Sequence, residues 1–203
     1  MATSTEQAIQ SLEQRLAKME AREAIHTVLY TYARGADRCD MELFKSCYHP
    51  DGTDYHWFFN GNAHDLADWV IPHLRELPNS QHSITNPIID LQGDRAFVES
   101  QWYVVHRIPL DDKRTVDQQI EGRYLDVFEK RDDVWKILHR RVALEGFREL
   151  VVPAIPSDNP ALSKRFPDDA VYKGFDILDD REQKFPSGYD LWEEARQRHS
   201  LPL

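Results

Sequence analysis

The stretch QHSITNP, residues 81–87, sets His82 between polar neighbours shortly before IIDLQGDRAFVESQWYVV, a run that reads as strand, turn and strand. An imidazole starts with a pKa of about 6.5, so it can take or give a proton at a working pH where most side chains cannot. To remove a proton beside an activated carbon it needs a second group on its far ring nitrogen. That group fixes the tautomer and stabilises the imidazolium that forms. Without such a partner, a histidine beside a strand is an ordinary surface or core residue.

The remaining chemistry-bearing residues narrow the choice. His49, Asp54, His56 and His64 crowd one stretch, but no HxxxH or HxH pattern sits on one element with a third ligand at usable spacing. No metal site is expected. GxGxxG, GxxxxGK[ST] and GxSxG do not occur, which leaves nucleotide cofactors and serine-hydrolase chemistry unsupported. No cofactor is expected. Cys39 and Cys47 suit neither a zinc knuckle nor a CxxC pair and read as reduced thiols.

A chain of 203 residues can bury one sizeable core with room for an appended segment. Its 35 acidic against 25 basic residues give a formal net charge of -10, and the basic residues do not cluster. Such a surface repels phosphate backbones, so nucleic acid is not an expected partner. No stretch approaches the roughly 20 apolar residues of a membrane span, and MATSTEQAIQSLEQ lacks the form of a signal peptide. The expectation is a soluble, cytoplasmic protein.

The elements that must position these groups follow from periodicity. From about Glu6 to Gly35, Ile9, Leu12, Leu16, Met19, Ile25, Val28, Leu29 and Tyr32 recur at three- and four-residue intervals, which predicts one long helix or two joined near Glu20. DMELFKSCY predicts a short helix capped by Asp40 and ended by Pro50. HPDGTDYHWFFNGNA then turns into a strand, and HDLADWVIPHLREL is an amphipathic helix broken or kinked at Pro72. SITNPIIDLQ, RAFVESQWYVVHRI, QQIEGRYLDVFEKR and VWKILHRRVALEGF read as strands, the last entered by a turn at Asp132 and Asp133. Helices first and an antiparallel meander after predict an α+β domain, with helices on one face of a curved sheet.

Past Val152 the character changes, with Pro153, Pro156, Pro160, Pro167, Pro186 and Pro202 and one short helix candidate, GYDLWEEARQRH. Phe166, Tyr172, Phe175, Phe185, Tyr189 and Trp192 are too many aromatics for a solvated tail. Residues 1–152 are therefore read as the domain, and residues 153–203 as an extension lying across it or across a neighbouring subunit.

YTYARGADRCDMELF, QHSITNPIIDLQGDRAFVES and GRYLDVFEKRDDVWKILHRR resemble, in order and spacing, the SnoaL-like branch of the nuclear transport factor 2-like superfamily. The resemblance covers roughly residues 15–150. It implies a conical α+β barrel whose bent, mostly antiparallel sheet wraps a deep apolar pocket, in chains that form homodimers or homotrimers. It also implies a His and Asp dyad at His82 and Asp37, with Tyr32 at the position of a catalytic tyrosine in related dehydratases. Gly35 between Tyr32 and Asp37 would let the helix end and both side chains turn to one cavity mouth. Arg140 falls where a related dehydrohalogenase carries a pocket-facing basic residue that can stabilise a developing anion.

If the resemblance sets the strand phase, Ser100, Trp102, Val104 and His106 face inward on one strand, and Ile120, Gly122 and Tyr124 on the next. His106 is then a second acid or a barrel-mouth residue. Asp54, His56 and Phe58 share one face of their strand, although related enzymes carry an aromatic where Asp54 falls. An inward carboxylate there needs a partner such as His56 or Arg140. A shift of one residue would instead turn Tyr55, Trp57 and Phe59 inward. Either lining suits an apolar, aromatic small molecule.

These residues predict a cofactor-independent lyase that uses acid–base catalysis to expel water, halide or a small carbon fragment. One analogue within the superfamily splits lignin-derived diarylpropanes and releases formaldehyde. The alternatives are an isomerase or cyclase on the same scaffold, a noncatalytic binding module, and an accessory subunit like those of ring-hydroxylating dioxygenases.

Overall fold

A computed structural model describes residues 3–155 and 162–182, and the chain divides into two compact units, Met1–Asp169 and Ala170–Leu203. The first unit begins with α1 (Ser4–Arg38), a single helix that passes Glu20 without a break. Thr3 caps it: its hydroxyl accepts from the Glu6 N–H, while the Glu6 carboxylate takes the Thr3 N–H at 2.6 Å. Only the later part is buried, through Ile25, Leu29, Tyr32 and Ala36.

The helix does not stop at Gly35 as expected. It ends at Cys39, whose left-handed backbone (φ 53) lets the N–H groups of Cys39 and Asp40 return to the carbonyls of Ala36 and Gly35. Gly35 serves packing instead, because a Cβ there would stand 2.8 Å from the Phe44 nitrogen. That close approach seats α2 (Met41–Ser46) against α1. Asp40 caps α2 by accepting from the Leu43 N–H at 3.1 Å. Pro50 does not end this helix, because Tyr48 has already entered β1 (Tyr48–His56) and pairs with Ile137.

The strand expected across HPDGTDYHWFFNGNA is a hairpin of β1 and β2 (Phe59–Asn62), with Trp57 and Phe58 at the turn. Asn62 then caps α3 (Ala63–Glu76), which runs through Pro72. The proline forfeits one backbone bond, but Ile71 and Leu74 on either side of it are buried and hold the helix to the core.

β3 (Asn79–Gln92), β4 (Arg95–Pro109), β5 (Arg114–Arg131) and β6 (Val134–Pro153) form the antiparallel meander. The six-stranded sheet has the order β2-β1-β6-β5-β4-β3, antiparallel except where β1 runs parallel to β6. It is mostly antiparallel and not closed. Register shifts at Thr85/Ile88, Glu121/Gly122 and Val127/Phe128 bend it. At Gly122 a Cβ would lie 2.0 Å from the Ala143 carbonyl oxygen, so only glycine fits that bend. The sheet's concave face and the helices enclose a core that includes Phe44, Tyr48, Val98, Phe128 and Ile137. This is the α+β cone.

Residues 162–169 return to the C-terminal ends of α1 and α3. The Phe166 N–H donates to the Arg38 carbonyl at 2.6 Å, and Arg38 pairs with Asp169 at 3.0 Å. Arg165 donates to the carbonyls of Asp37, Leu74 and Leu77. Cationic donors thus satisfy carbonyls at the negative end of each helix dipole.

In the second unit, Ala170–Glu182 forms 3-10 turns broken at Gly174 (φ 56). Phe185, Tyr189, Trp192 and GYDLWEEARQRH lie outside the described residues. No helix among the described residues is long and apolar enough to cross a membrane.

Candidate active site

The last turn of α1 carries Asp37 to the start of β3, and there it meets His82. The Asp37 carboxylate accepts the His82 backbone N–H at 2.8 and 3.0 Å, the Ser80 hydroxyl at 3.3 Å and, from the ring, His82 Nδ1 at 2.7 Å. A carboxylate at a helix C-terminus meets the dipole's negative end. The converging donors offset that, and so does the Arg165 guanidinium on the Asp37 carbonyl. Both side chains are 10% exposed. With Nδ1 engaged, Nε2 is the ring atom left for a ligand.

His82 lines a cavity with Tyr32, His56, Trp57, Phe58, Trp102, His106 and Tyr124, backed by aliphatic residues of α3 such as Leu66, Val70 and Leu74. Its volume is about 70 Å³. Trp57 and Phe58, each about half exposed, pack edge to face with ring centroids 5.0 Å apart. Trp57 also stacks on Trp102 at 6.4 Å, and Trp102 on Tyr124 at 5.4 Å. Trp102 Nε1 and His106 Nε2 are buried without a protein partner, so the lining offers two polar atoms to a bound molecule.

Each titratable group in the lining has its own setting. Burial pushes the Tyr32 hydroxyl up to about 12 against the pull of Arg140, so at neutral pH it is a phenol. Burial, with His82 adding to it, pushes His106 down to about 4. Its ring lies 5.9 Å from that of His82. His106 is therefore neutral at pH 7 and can accept or donate a hydrogen bond, but holds no spare proton.

A second carboxylate–imidazole pair stands at the other end of the sheet. Asp54, fully buried, accepts from His56 Nδ1 at 2.5 Å and from the Tyr48 hydroxyl at 2.6 Å. The strand phase with Asp54 and His56 inward is the one observed, and Tyr55 is exposed. The hairpin turn nevertheless brings Trp57 to the lining beside Phe58, which simple alternation does not foresee.

Arg140 takes a different place from the one expected of a residue that contacts substrate. It is fully buried and absent from the cavity lining. Its Nε and Nη2 donate to the two oxygens of Asp126 at 2.8 and 2.7 Å, and its guanidinium lies between the rings of Tyr32 (4.2 Å) and Tyr124 (3.8 Å). Burial pushes the Asp126 carboxyl up and Arg140 opposes it, and the two-bond geometry is that of an ion pair. Asp54, Arg140 and Asp126 are register partners across β1, β6 and β5, a row of alternating charge behind the tyrosines.

Of the residues singled out in the sequence, His82, Tyr32, His56, Phe58, Trp102, His106 and Tyr124 share the lining, while Asp37 and Asp54 stand behind their imidazoles. Ser100 is buried, with its hydroxyl unpartnered. Asp126, Tyr48 and Arg165 were not foreseen. Asp126 shares strand parity with Tyr124 and Phe128, and an acidic residue on an inward phase is a signal that was available. No group of three His, Cys, Asp or Glu side chains among the described residues is placed to hold a metal ion.

The cone is shared with solved structures at low sequence identity. The dehydrochlorinase LinA-type3 from Novosphingobium barchaimii, which acts on hexachlorocyclohexane, is 19% identical, with a TM-score of 0.60 over 70% of this chain and 99% of that one. A scytalone dehydratase-like protein from Novosphingobium aromaticivorans is 21% identical, with a TM-score of 0.58 over 72% and 97%. The Kfla4162 protein from Kribbella flavida is 16% identical, with a TM-score of 0.56 over 63% and 92%. At such identities the likeness is one of fold. No curated protein sequence matches the chain. The model of the SnoaL-like domain does match, over residues 17–141, the span that builds both walls of the cavity, and the chain belongs to the SnoaL-like family.

Proposed function

We propose that the protein is a lyase that needs no cofactor and acts on an apolar, aromatic small molecule. The reading is carried by one observation, the 2.7 Å contact between His82 Nδ1 and Asp37 in an aromatic-lined cavity. Asp37 holds the ring as the Nδ1–H tautomer, so Nε2 can take a proton from a carbon next to an activating group. The electron pair forms the alkene and expels halide or, once the departing oxygen is given a proton, water. In formaldehyde release Nε2 would instead take the O–H proton of a hydroxymethyl group, whose C–C bond breaks and leaves its electron pair to form the alkene as a neighbouring hydroxyl departs. Tyr32, as a phenol, donates a hydrogen bond to the oxygen that gains charge, and Trp102 Nε1 is a second donor. Arg140 and Asp126 hold Tyr32 and Tyr124 in place from behind. Two structural neighbours, a dehydrochlorinase and a dehydratase-like protein, are consistent with elimination on this scaffold.

At about 70 Å³ the cavity is smaller than the roughly 300–1,000 Å³ typical of ligand pockets. A two-ring substrate such as a diarylpropane therefore requires the cavity to enlarge. The deciding experiment is a mass-spectrometric screen of aromatic alcohols and halides. A product lighter by water, hydrogen halide or formaldehyde supports the lyase. An isobaric product makes the protein an isomerase, and binding without turnover that survives His82→Ala and Asp37→Asn makes it a binding module.

A further inference from the structure

The Tyr48–Asp54–His56 chain has no part in the elimination as described, yet it is built like the Asp37–His82 pair. Asp54 is fully buried and spends one oxygen on the Tyr48 hydroxyl at 2.6 Å and the other on His56 Nδ1 at 2.5 Å. An ionised carboxylate only accepts, so Tyr48 and His56 are the donors. His56 lines the cavity, and its Nε2 is the ring atom left for a ligand. β1 and β3 lie toward opposite ends of the sheet, so the two imidazoles come to one chamber from opposite flanks. His106, the other histidine of the lining, lacks a carboxylate on its ring and does not match this construction.

We propose that His56 is a second catalytic residue, the general acid that protonates an oxygen leaving group, with Asp54 and Tyr48 as its positioning residues. The inference rests on the lyase reading and narrows its substrate class to aromatic alcohols, because a hydroxyl leaves only with a proton whereas a halide leaves as the anion. In the step, the C–H bond breaks and its proton goes to His82 Nε2. The electron pair becomes the new C=C bond. The C–O bond breaks, and the oxygen departs as water with the Nε2 proton of a doubly protonated His56, which is left neutral with its remaining proton on Nδ1 against Asp54. Exchange with solvent at the cavity mouth then restores both imidazoles.

The first test needs no substrate. Long-range proton–nitrogen NMR of the labelled imidazoles, with the His56 signals assigned by their loss in His56→Asn, shows a proton on Nδ1 from pH 5 to pH 9 if Asp54 holds the ring as described. A His56 ring protonated on Nε2 alone overturns the proposal. The second test compares two probes that give the same product, benzalacetone: the aldol of benzaldehyde with acetone, and the corresponding chloride. His56→Asn preserves a donor for Asp54 and deletes only the Nε2 function. It is expected to lower kcat/KM on the alcohol by about 10²-fold, at least about tenfold more than on the chloride, whereas His82→Ala impairs both. Equal losses on the two probes with His56→Asn overturn this inference alone. Normal turnover of both by His82→Ala overturns the lyase reading itself.

Discussion

Among the carboxylates of the cone that hold nitrogen groups through short bonds, Asp126 and Asp37 differ most in their settings. Asp126 and Arg140 are sealed, 0% exposed on both sides, with a partner that cannot lose its proton. Asp37 and His82 are each 10% exposed, with a partner that can, and one ring nitrogen remains beside the cavity. The sealed pair fixes two tyrosine rings, and the open pair can move protons. A buried ion pair of the first kind constrains geometry, whereas only the second kind has chemistry to offer a ligand.

The comparison breaks most readily at the sealed pair. Arg140→Met leaves Asp126 buried without its counter-charge and is expected to cost about 3–5 kcal/mol in urea unfolding. Arg140→Met with Asp126→Leu should regain much of that, because no charge is then left buried. A single variant as stable as the wild type would show that the pair is not needed in its ionised form. At the open pair, Asp37→Asn should lower turnover by about 10²-fold, since an amide can present the wrong atom to Nδ1 and release the tautomer. Its unfolding midpoint should move far less than that of Arg140→Met.

The pH dependence sharpens the contrast. Burial, with His82 adding to it, holds the folded pKa of His106 down at about 4, below the ordinary imidazole value of about 6.5, so the unfolded chain binds the proton more tightly than the folded one. Its contribution is fully present above about pH 6.5 and is lost as the pH falls toward 4. Unfolding experiments across that range should show the wild type losing on the order of 1–3 kcal/mol more than His106→Gln. Equal acid sensitivity would mean that His106 titrates normally. The smallest effect is expected at Arg165→Ala, which removes donors to the carbonyls of Asp37, Leu74 and Leu77. It should cost about 1–2 kcal/mol and lower turnover by less than about tenfold, through a looser Asp37.

Much of this frame was legible in the sequence. With the strand phase taken from the family resemblance, alternation put Trp102, Val104, Ile120 and Tyr124 inward, and the same resemblance implied the cone. The strands ran longer than expected, because their ends pair with neighbours whatever the composition of the edge: β6 reaches Pro153 and pairs there with Arg114. Gly35 misled because its lack of a side chain serves the approach of Phe44, which only the packed helices reveal. The family resemblance put Arg140 on the correct face, but a matched position does not say how deep a side chain lies. Its removal from the lining follows from Asp126 on the next strand, a cross-strand partner set by register. Arg165 could not be foreseen at all, since a segment after the last strand reaches helix ends far away in the chain through backbone carbonyls that carry no sequence signal.

The central claim is that His82, oriented by Asp37, takes the substrate proton, and chemical rescue tests it most directly. On an aromatic alcohol turned over by the wild type, His82→Ala should lose at least about 10²-fold in turnover while keeping its unfolding midpoint, and added imidazole should restore part of the rate at pH values where imidazole is neutral. Wild-type turnover by His82→Ala without imidazole would contradict the account.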